Sequence, residues 1–429
     1  MNGNQNPNPV DYIKMSTTPV IENGINRKTD VFTVIIFLCL IFVSAILFWV
    51  MPDRQASEDE NRKLRQMPVF SAGNLASGKF TGDMGKYYAD QFPFRDTFVG
   101  AKTVFSHAFF INENKSVVIA KDGYLIQRFD IYSEKPVTEK SPDELGGNFT
   151  FAENMANIKN NCGYINTFSE NIKELYPGIK LTFAPPPRKI DVMTNKLPAF
   201  FPTERHEKYF EELNRHINQD IYVDLVKVLR EHNDEYIYYR TDHHWTTLGA
   251  YYAYAELGGT IGYEPLSKES FTVETADGGF YGAAWSKAGA KWIKPDIIEY
   301  YRTEYDGKIF ETKIHGANPR TLQGFYDREK LETKDKYASF LGGINSHISI
   351  YKQPPATQKQ ERILLIADSF GQSLAPFLAY DYNIEIIDAR FFNDNIYDFI
   401  KDRDIGNILI LVNMESLSTQ DNLKKLTRR

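Results

Sequence analysis

The chain has 429 residues, of which 42% are hydrophobic and 25% charged, so it can bury a large core and form about two or three domains. Its 50 basic and 56 acidic residues give a net charge of −6, and the lack of a basic excess argues against a nucleic-acid partner. Only two cysteines occur, and Cys39 lies in an apolar run far from Cys162. This excludes a disulfide framework and a thiolate metal site.

An uncharged apolar run extends from Val31 to Met51. As a helix rising about 1.5 Å per residue, it is long enough for the roughly 30 Å hydrocarbon layer of a membrane. Trp49 lies near one end, where an indole favours the interface, and Arg27 and Lys28 before the run favour a cytoplasmic N-terminus. A cleaved signal peptide is one alternative, although the run exceeds a typical h-region and no Ala-x-Ala site follows it. A buried core helix is another, although the run has no polar face.

We therefore predict a single-pass protein of the cell membrane, with a signal-anchor helix over residues 31–51. Residues 1–30 are rich in Asn, Pro and Thr and are predicted to form a disordered cytoplasmic tail. Residues 52–110 are predicted to form an extracytoplasmic linker and helical region, and residues 111–429 the main extracellular domain.

Short apolar strands alternate with helical stretches in much of the main domain. Strands are predicted at residues 179–184, 222–223, 236–239, 362–367, 384–387 and 407–412. This alternation favours an α/β fold with a parallel sheet flanked by helices on both faces. Residues about 265–355 break the rhythm with β-like runs and glycine pairs, and are predicted to form a mostly β insertion or lid.

A serine lies where one of these strands turns into a helix. Ser369 follows Ala367 and Asp368 and precedes Gly371 and the predicted helix. Ligand sites of open α/β sheets gather at the carboxyl ends of strands, and a helix N-terminus stabilises a nearby anion. The alternative is that Asp368 or Ser369 only caps the helix.

The segment 241–245 combines an acid, two histidines and a tryptophan. In extended backbone Asp242 and His244 point to the same side, so the carboxylate can orient the imidazole and stabilise its cation. His243 would then point away, and Trp245 would shield the site or pack under the imidazole. A structural histidine pair is one alternative. A metal site is another, but adjacent residues rarely converge on one ion and the sequence has no second ligand cluster.

The segments Thr241–Thr246 and Asp368–Phe370, in this chain order, resemble the DHHW proteins. These are similar to the alginate O-acetyltransferase group, a set of SGNH-hydrolase-like extracytoplasmic enzymes. The resemblance loosely covers residues 55–415, including the segments 60–62 and 90–95. It implies an SGNH-hydrolase-like α/β fold. The sequence departs from the wider SGNH pattern, because it has Asp-x-His rather than Asp-x-x-His and because this pair precedes the serine.

By that resemblance Ser369 is the nucleophile, His244 its base and Asp242 the orienting acid. Asn413 ends a predicted strand and is a candidate for the oxyanion hole. Arg188 and Arg390 also follow predicted strands and are candidates for binding an anionic glycan, with salt-bridge or surface roles as the alternative.

The resemblance implies an O-acetyltransferase or acetylesterase that acts on a cell-surface polysaccharide of a bacterial cell envelope. An acyl-serine would form and pass its acyl group to a sugar hydroxyl or to water. Because the acyl donor comes from across the membrane, a multispanning acyl-carrier protein is the expected partner. No cofactor and no metal are expected. The alternative function is that of a non-catalytic protein that keeps the fold and binds glycan or an envelope assembly.

Overall fold

The structure is a computed structural model that describes residues 27–128, 150–316, 318–353 and 361–429. Of the tail predicted over residues 1–30, residues 1–26 lie outside this description. The chain divides into two compact units, one formed by Met1–Gln55 with Leu64–Arg95 and the other by Ala56–Lys63 with Asp96–Arg429.

The described part of the first unit is helical. It contains α1 (Arg27–Val50), α2 (Ala72–Ala76) and α3 (Lys79–Gln91). Within α1, Thr29–Val50 is long and apolar enough to cross a membrane, and its most apolar stretch is not buried inside the protein. A terminal helix of this kind serves as a membrane anchor or as a signal sequence.

The second unit has alternating helices and strands. Its helices are α4 (Arg95–Ala108), whose first residue ends the other unit, and α5 (Phe151–Leu175), α6 (Lys189–Val192), α7 (Glu204–His216), α8 (Leu225–Glu231), α9 (Thr247–Ile261), α10 (Ala283–Ala288), α11 (Asp306–Ile309), α12 (Phe370–Leu378), α13 (Ile396–Asp402) and α14 (Met414–Thr419). Its strands are β1 (Ala56–Ser57), β2 (Arg62–Lys63), β3 (Glu113–Asn114), β4 (Val117–Ile119), β5 (Leu125–Gln127), β6 (Lys180–Phe183), β7 (Thr272–Phe280), β8 (Asp296–Arg302), β9 (Phe310–His315), β10 (Arg320–Gln323), β11 (His347–Lys352), β12 (Arg362–Ala367), β13 (Asn383–Ile387) and β14 (Asn407–Leu411).

The main sheet has seven strands in the order β10-β9-β11-β13-β12-β14-β6. The four strands β13, β12, β14 and β6 are parallel, whereas β11, β9 and β10 pair antiparallel. The α/β class therefore agrees with the prediction, but the sheet is mixed rather than wholly parallel. The connection between β9 and β10 is too short for a crossover helix, so these two strands form a hairpin, and β11 pairs antiparallel with both β9 and β13.

The predicted β insertion at about residues 265–355 is not a separate lid. Its strands β9, β10 and β11 extend the main sheet, and only β7 and β8 form a two-stranded ribbon of their own. The strand predicted at residues 236–239 is reduced to one antiparallel bridge, between Tyr238 and Trp245.

Helices cover both faces of the sheet. Ile363 and Leu365 of β12 pack in the core cluster that contains residues of α9 and α12. Leu364 and Ile366 point to the opposite face and pack in the cluster that contains residues of α5 and α13. This alternation follows from the two-residue period of a strand, and it places the carboxyl end of β12 between the two helical layers.

Candidate active site

Ser369 lies in the tight turn between β12 and α12. Gly371 permits the close approach of strand and helix, because a Cβ atom there would be 2.5 Å from the Cβ of Ala367. The Ser369 side chain makes no capping hydrogen bond. Its Oγ instead lies 2.7 Å from Nε2 of His244. The backbone N–H of Phe370 is satisfied by Asp368, whose Oδ1 accepts from it at 3.1 Å.

Asp242 and His244 come from the loop that precedes α9. Oδ1 of Asp242 lies 2.6 Å from Nδ1 of His244 and accepts a hydrogen bond from the His244 backbone N–H at 3.0 Å. The second oxygen, Oδ2, accepts from the backbone N–H of Ala283 at 2.9 Å. Because the ionised carboxylate can only accept, Nδ1 carries the proton and Nε2 is left to accept from the Ser369 hydroxyl.

The charges of this loop stabilise the ionised acid. Burial by itself would raise the pKa of Asp242, but His243, His244 and the hydrogen bonds outweigh it and hold the pKa well below its ordinary value. Burial and the neighbouring His244 lower the pKa of His243. The two pKa shifts thus favour the ionised form of Asp242 and the neutral form of His243.

Asp296, at the start of β8, holds the beginning of the same loop. This fully buried carboxylate accepts hydrogen bonds from the backbone N–H groups of Arg240, at 2.8 Å, and Thr241, at 2.6 Å. The Lys189 ammonium donates to the carbonyl of Arg240 at 3.2 Å and to that of Leu125 at 2.9 Å. These contacts come from chain segments that sequence reasoning did not connect with the motif.

The imidazole of His244 is covered by Tyr337. The two rings are stacked, with centroids 3.9 Å apart and planes 7° from parallel. The tyrosine hydroxyl lies 3.0 Å from Oγ of Ser373, a residue of α12. Trp245 was predicted to shield the site or pack under the imidazole, but it is fully buried against Phe370 and its indole N–H donates to Ser373 at 2.8 Å. It therefore holds α12 in place.

His243 does not point away from the site as predicted. Its ring centroid is 3.9 Å from that of His244, and its Nδ1 lies 3.4 Å from Oδ1 of Asp242. About a third of the side chain is exposed, and it lines a small pocket beside the histidine loop. Further residues that line this pocket are Arg188, Lys189, Phe370, Asn413 and Glu415.

Asn413 follows β14 and lines the pocket, as its position at a strand end suggested. Its backbone N–H donates to Oδ2 of Asp368 at 2.8 Å, and its side-chain oxygen accepts from the backbone N–H of Ser416 at 2.9 Å. The side chain thus caps α14, and this contact connects the end of β14 to the turn after β12.

The two arginines that were candidates for binding an anionic glycan are both paired with acids. Arg188 lines the pocket, but its guanidinium donates to Asp191 at 2.7 and 2.8 Å in a buried ion pair. Arg390 donates to Asp388 at 2.9 and 3.1 Å and is not among the residues that line this pocket. Both arginines thus form ion pairs, and only Arg188 lines the pocket.

Asp242, His243 and His244 are also a possible set of metal ligands. One ligand atom from each residue lies within 4.8 Å of the other two. Among the residues that the structure describes, no other group of three potential ligands is this close together. Both ring nitrogens of His244 are already within hydrogen-bond distance of Asp242 and Ser369, so an ion could bind His244 only by displacing one of these contacts.

Residues 205–387 match the DHHW protein family. This range contains Asp242, His243, His244 and Ser369. The predicted resemblance to DHHW proteins is confirmed. A DHHW family protein from Eubacterium siraeum is 21% identical, with a TM-score of 0.53 over 73% of this chain and 95% of that one. Bacillus cereus PatB1 with a sulfonyl adduct is also 21% identical, with a TM-score of 0.54 over 72% and 98% of the two chains. At these identities the likeness shows a shared fold.

The O-acetyltransferase domain of Pseudomonas putida AlgJ is 12% identical and overlaps 71% of this chain and 93% of its own. Its TM-score of 0.42 is too low to support an argument about the fold. No curated protein matches the sequence.

Sequence reasoning missed three residues of this site. Tyr337 stacks on the imidazole of His244, Asp296 holds the loop, and Gly282 lies against Asp242. None belongs to a local motif, and each lies about 40 to 95 positions from the histidine loop. The only local signal for any of these three residues was the glycine pair Gly278 and Gly279, close to Gly282, and that pair was assigned to the predicted insertion.

Proposed function

We propose that this protein is an acyltransferase or esterase that uses Ser369 as nucleophile, His244 as general base and Asp242 as the acid that orients the base. The observation that carries the proposal is the continuous hydrogen-bond chain, with 2.7 Å from serine to imidazole and 2.6 Å from imidazole to carboxylate. These are the distances that an activated hydroxyl nucleophile requires.

In the first step Oγ of Ser369 attacks the carbonyl carbon of an ester donor, and Nε2 of His244 takes the hydroxyl proton. The imidazolium that forms is stabilised by Asp242 and then gives its proton to the leaving alkoxide. The N-terminus of α12 lies beside Ser369, and its partial positive charge favours the oxyanion of the tetrahedral intermediate. Asn413 lines the adjoining pocket and is our candidate for an additional oxyanion donor.

The proposed substrate is an O-acetyl group on a cell-surface polysaccharide. The support comes from the DHHW resemblance and from PatB1, whose fold is similar and which carries a sulfonyl adduct. Sulfonyl reagents form such adducts with activated nucleophiles, so the same chemistry at Ser369 is consistent with a covalent acyl-serine. We propose α1 as a membrane anchor that places the site outside the cell, where a multispanning acyl-carrier protein would supply the donor.

The proposal is tested with purified full-length protein in detergent and a chromogenic acetyl ester. The wild-type protein should cleave the ester, and Ser369→Ala should lower kcat by at least about a thousandfold. Ser270→Ala, which changes an exposed serine in the short 3-10 turn before β7, is the matched control and should behave as wild type.

A sulfonyl fluoride should label Ser369, as located by mass spectrometry of the digested protein. Full activity of Ser369→Ala, or an adduct on a different residue, would contradict the proposal. Polysaccharide binding without ester cleavage or acetyl transfer would favour the non-catalytic alternative.

A further inference from the structure

Large apolar side chains are exposed at and just after the carboxyl end of α4. Phe105, Phe109, Phe110 and Ile111 are 66, 63, 88 and 56% exposed, and we call these four residues the aromatic patch. The rings of Phe105 and Phe109 contact each other, with centroids 4.7 Å apart, because residues four apart lie on one face of a helix. Contiguous apolar groups at a surface mark an interaction site, whereas scattered ones do not.

The opposite face of α4 packs on the protein. Its buried residues are Gly100 and Thr103, and Oγ1 of Thr103 donates to the carbonyl of Ala288 in α10 at 3.3 Å. A Cβ atom on Gly100 would lie 3.1 Å from the side chain of Lys291. These contacts hold the helix with the aromatic patch directed away from α10, so the patch is not needed to keep α4 in place.

Phe110 has a backbone conformation that usually belongs to glycine. Its φ is 61°. The N–H of Phe110 donates to the carbonyl of His107 and the N–H of Ile111 to that of Ser106, both at 3.0 Å. In a helix end closed by this pair of bonds the residue with positive φ is commonly glycine, because a Cβ atom there has a steric cost. Since the ring of Phe110 is almost wholly exposed, burial within the chain does not offset that cost.

The aromatic patch belongs to the part of the second unit that is tethered most directly to α1. Five residues, 51–55, separate the end of α1 from β1, and an extended chain of this length reaches at most about 20 Å. The Ser57 hydroxyl of β1 donates to Asp96 in the first turn of α4 at 3.3 Å, and Lys291 donates to Asp59. The strand that begins the second unit is therefore fastened to α4, and the patch lies one helix length further on.

The border of the patch has the composition of a lipid-facing surface. The rings of His107 and Trp292 are stacked, with centroids 5.3 Å apart, and Trp292 is partly exposed. Lys102 is exposed three residues before Phe105. An indole and a lysine beside phenylalanines are typical of a helix that lies in the headgroup region of a bilayer. Together with the short tether, this composition favours a membrane over another protein as the occupant.

We propose that the aromatic patch docks on the surface of the same membrane that holds α1, with its rings inserted between the lipid headgroups and the acyl chains. This inference rests on the proposed function, in which α1 is a membrane anchor. The anchor keeps the patch at high local concentration beside the bilayer, so a weak second attachment is enough. Two attachments fix the orientation of the second unit toward the membrane, which a single flexible tether would leave free.

The test uses full-length protein in phosphatidylcholine vesicles. In a Cys39→Ser background the remaining native cysteine, Cys162, is buried, so Phe110→Cys can be labelled selectively with an environment-sensitive NBD fluorophore. A lipid nitroxide near the headgroup should quench this probe about twofold, since docking would place it about 5–10 Å into the headgroup region. Phe391→Cys makes the same change at an exposed phenylalanine between β13 and α13 and should remain unquenched.

Phe105→Glu combined with Phe109→Glu places charges on the patch and should abolish quenching of the probe at residue 110. Because both rings are exposed, the thermal transition and the ester cleavage measured in detergent should not change. If this variant unfolds, Phe105→Ser with Phe109→Ser replaces it and should also lower the quenching.

Protein that floats with the vesicles but shows no quenching at residue 110 would overturn the docking surface. An emission shift that rises with protein concentration and does not respond to the nitroxide lipid would assign the patch to a second copy of the chain, and would also overturn it. Failure to float with the vesicles would instead overturn the anchor, and ester cleavage that persists in Ser369→Ala would overturn the catalytic proposal. The failures are therefore distinguishable.

Discussion

The phenol ring of Tyr337 lies flat against the imidazole of His244, and both belong to the same buried network. Stacking fixes the plane of the imidazole, and the hydroxyl of Tyr337 fixes the tyrosine through Ser373 of α12. The imidazole of His244 is thus held by Asp242 at its edge and by Tyr337 across its face. Ser373, which contacts the hydroxyl of Tyr337, also accepts a hydrogen bond from the indole of Trp245 in the histidine segment.

We therefore expect Tyr337→Phe and Tyr337→Leu to differ. The phenylalanine keeps the stacked ring and loses only the hydrogen bond, so ester cleavage should fall by less than about tenfold, since a hydrogen bond contributes about 1 kcal/mol. The leucine removes the ring and should lower kcat further, by about a hundredfold, because small displacements of a catalytic group are costly. The kcat of each variant is the measurement. Equal effects of the two changes would mean that stacking does not orient the base.

Gly282 leaves no room for a side chain beside Asp242. A Cβ atom on Gly282 would be 2.3 Å from Oδ2 of the aspartate. Gly282→Ala should therefore displace the carboxylate, lower ester cleavage and destabilise the fold by about 1–3 kcal/mol, as overpacking does. A Cβ atom added to Gly259 in α9 would have no neighbouring atom within 4 Å, so Gly259→Ala is the control. It should keep full activity and gain about 0.5–1 kcal/mol. Thermal unfolding and ester cleavage are measured for both.

Asp242→Asn should lower kcat by about 10⁴-fold, because an amide cannot hold the required tautomer of His244. The same variant tests the pH dependence of stability. The pKa of Asp242 in the folded protein lies below its ordinary value of 3.8, so the unfolded chain takes up this proton at higher pH. The carboxylate therefore contributes stability above pH 3.8, and that contribution is lost as the pH falls through the folded-state pKa.

Thermal midpoints between pH 6 and pH 3 check this expectation. The wild-type midpoint should fall more steeply in acid than that of Asp242→Asn, which has no proton to gain at this position. Parallel curves for the two proteins would mean that the acid does not remain ionised in the folded state.

A chelator distinguishes the serine mechanism from a metal hydrolase. If Ser369 is activated by His244, dialysis against EDTA should leave ester cleavage unchanged, because Nε2 of His244 is occupied by the serine hydroxyl. Loss of activity in EDTA and its recovery on addition of zinc would instead assign Asp242, His243 and His244 to a metal site. Metal analysis of the purified protein is the accompanying measurement.

Alkaline carbonate extraction of membranes tests the role of α1. An anchored protein stays in the membrane pellet, and a variant that lacks residues 1–51 should be released into the supernatant. N-terminal mass spectrometry of the full-length product is the control. A mature chain that begins beyond residue 51 would identify α1 as a cleaved signal sequence.

Much of the parallel half of the sheet could be read from local pattern. The apolar runs at 362–367, 384–387 and 407–412 correspond closely to β12, β13 and β14, because buried central strands leave a short continuous apolar signature. The place of the antiparallel half could not be read this way, because β-like composition predicts strands but not the strands with which they pair. Only their pairing, which composition does not encode, joins them to the main sheet.

By itself the sequence determined which residues of the histidine loop and of the serine turn are candidates for the site, since both are short segments whose local backbone brings their own residues together. It also determined the apolar helix, whose length and composition are local properties. Tertiary structure alone decided that Oγ of Ser369 meets Nε2 of His244, that Tyr337 rather than Trp245 stacks on that imidazole, and that His243 and Glu415 line one pocket. Those contacts join positions tens to more than a hundred residues apart. They depend on the pairing of β12 with β14, which Ser369 and Glu415 follow, and on the packing of loops and helices from elsewhere in the chain against these strand ends, and no local pattern encodes either.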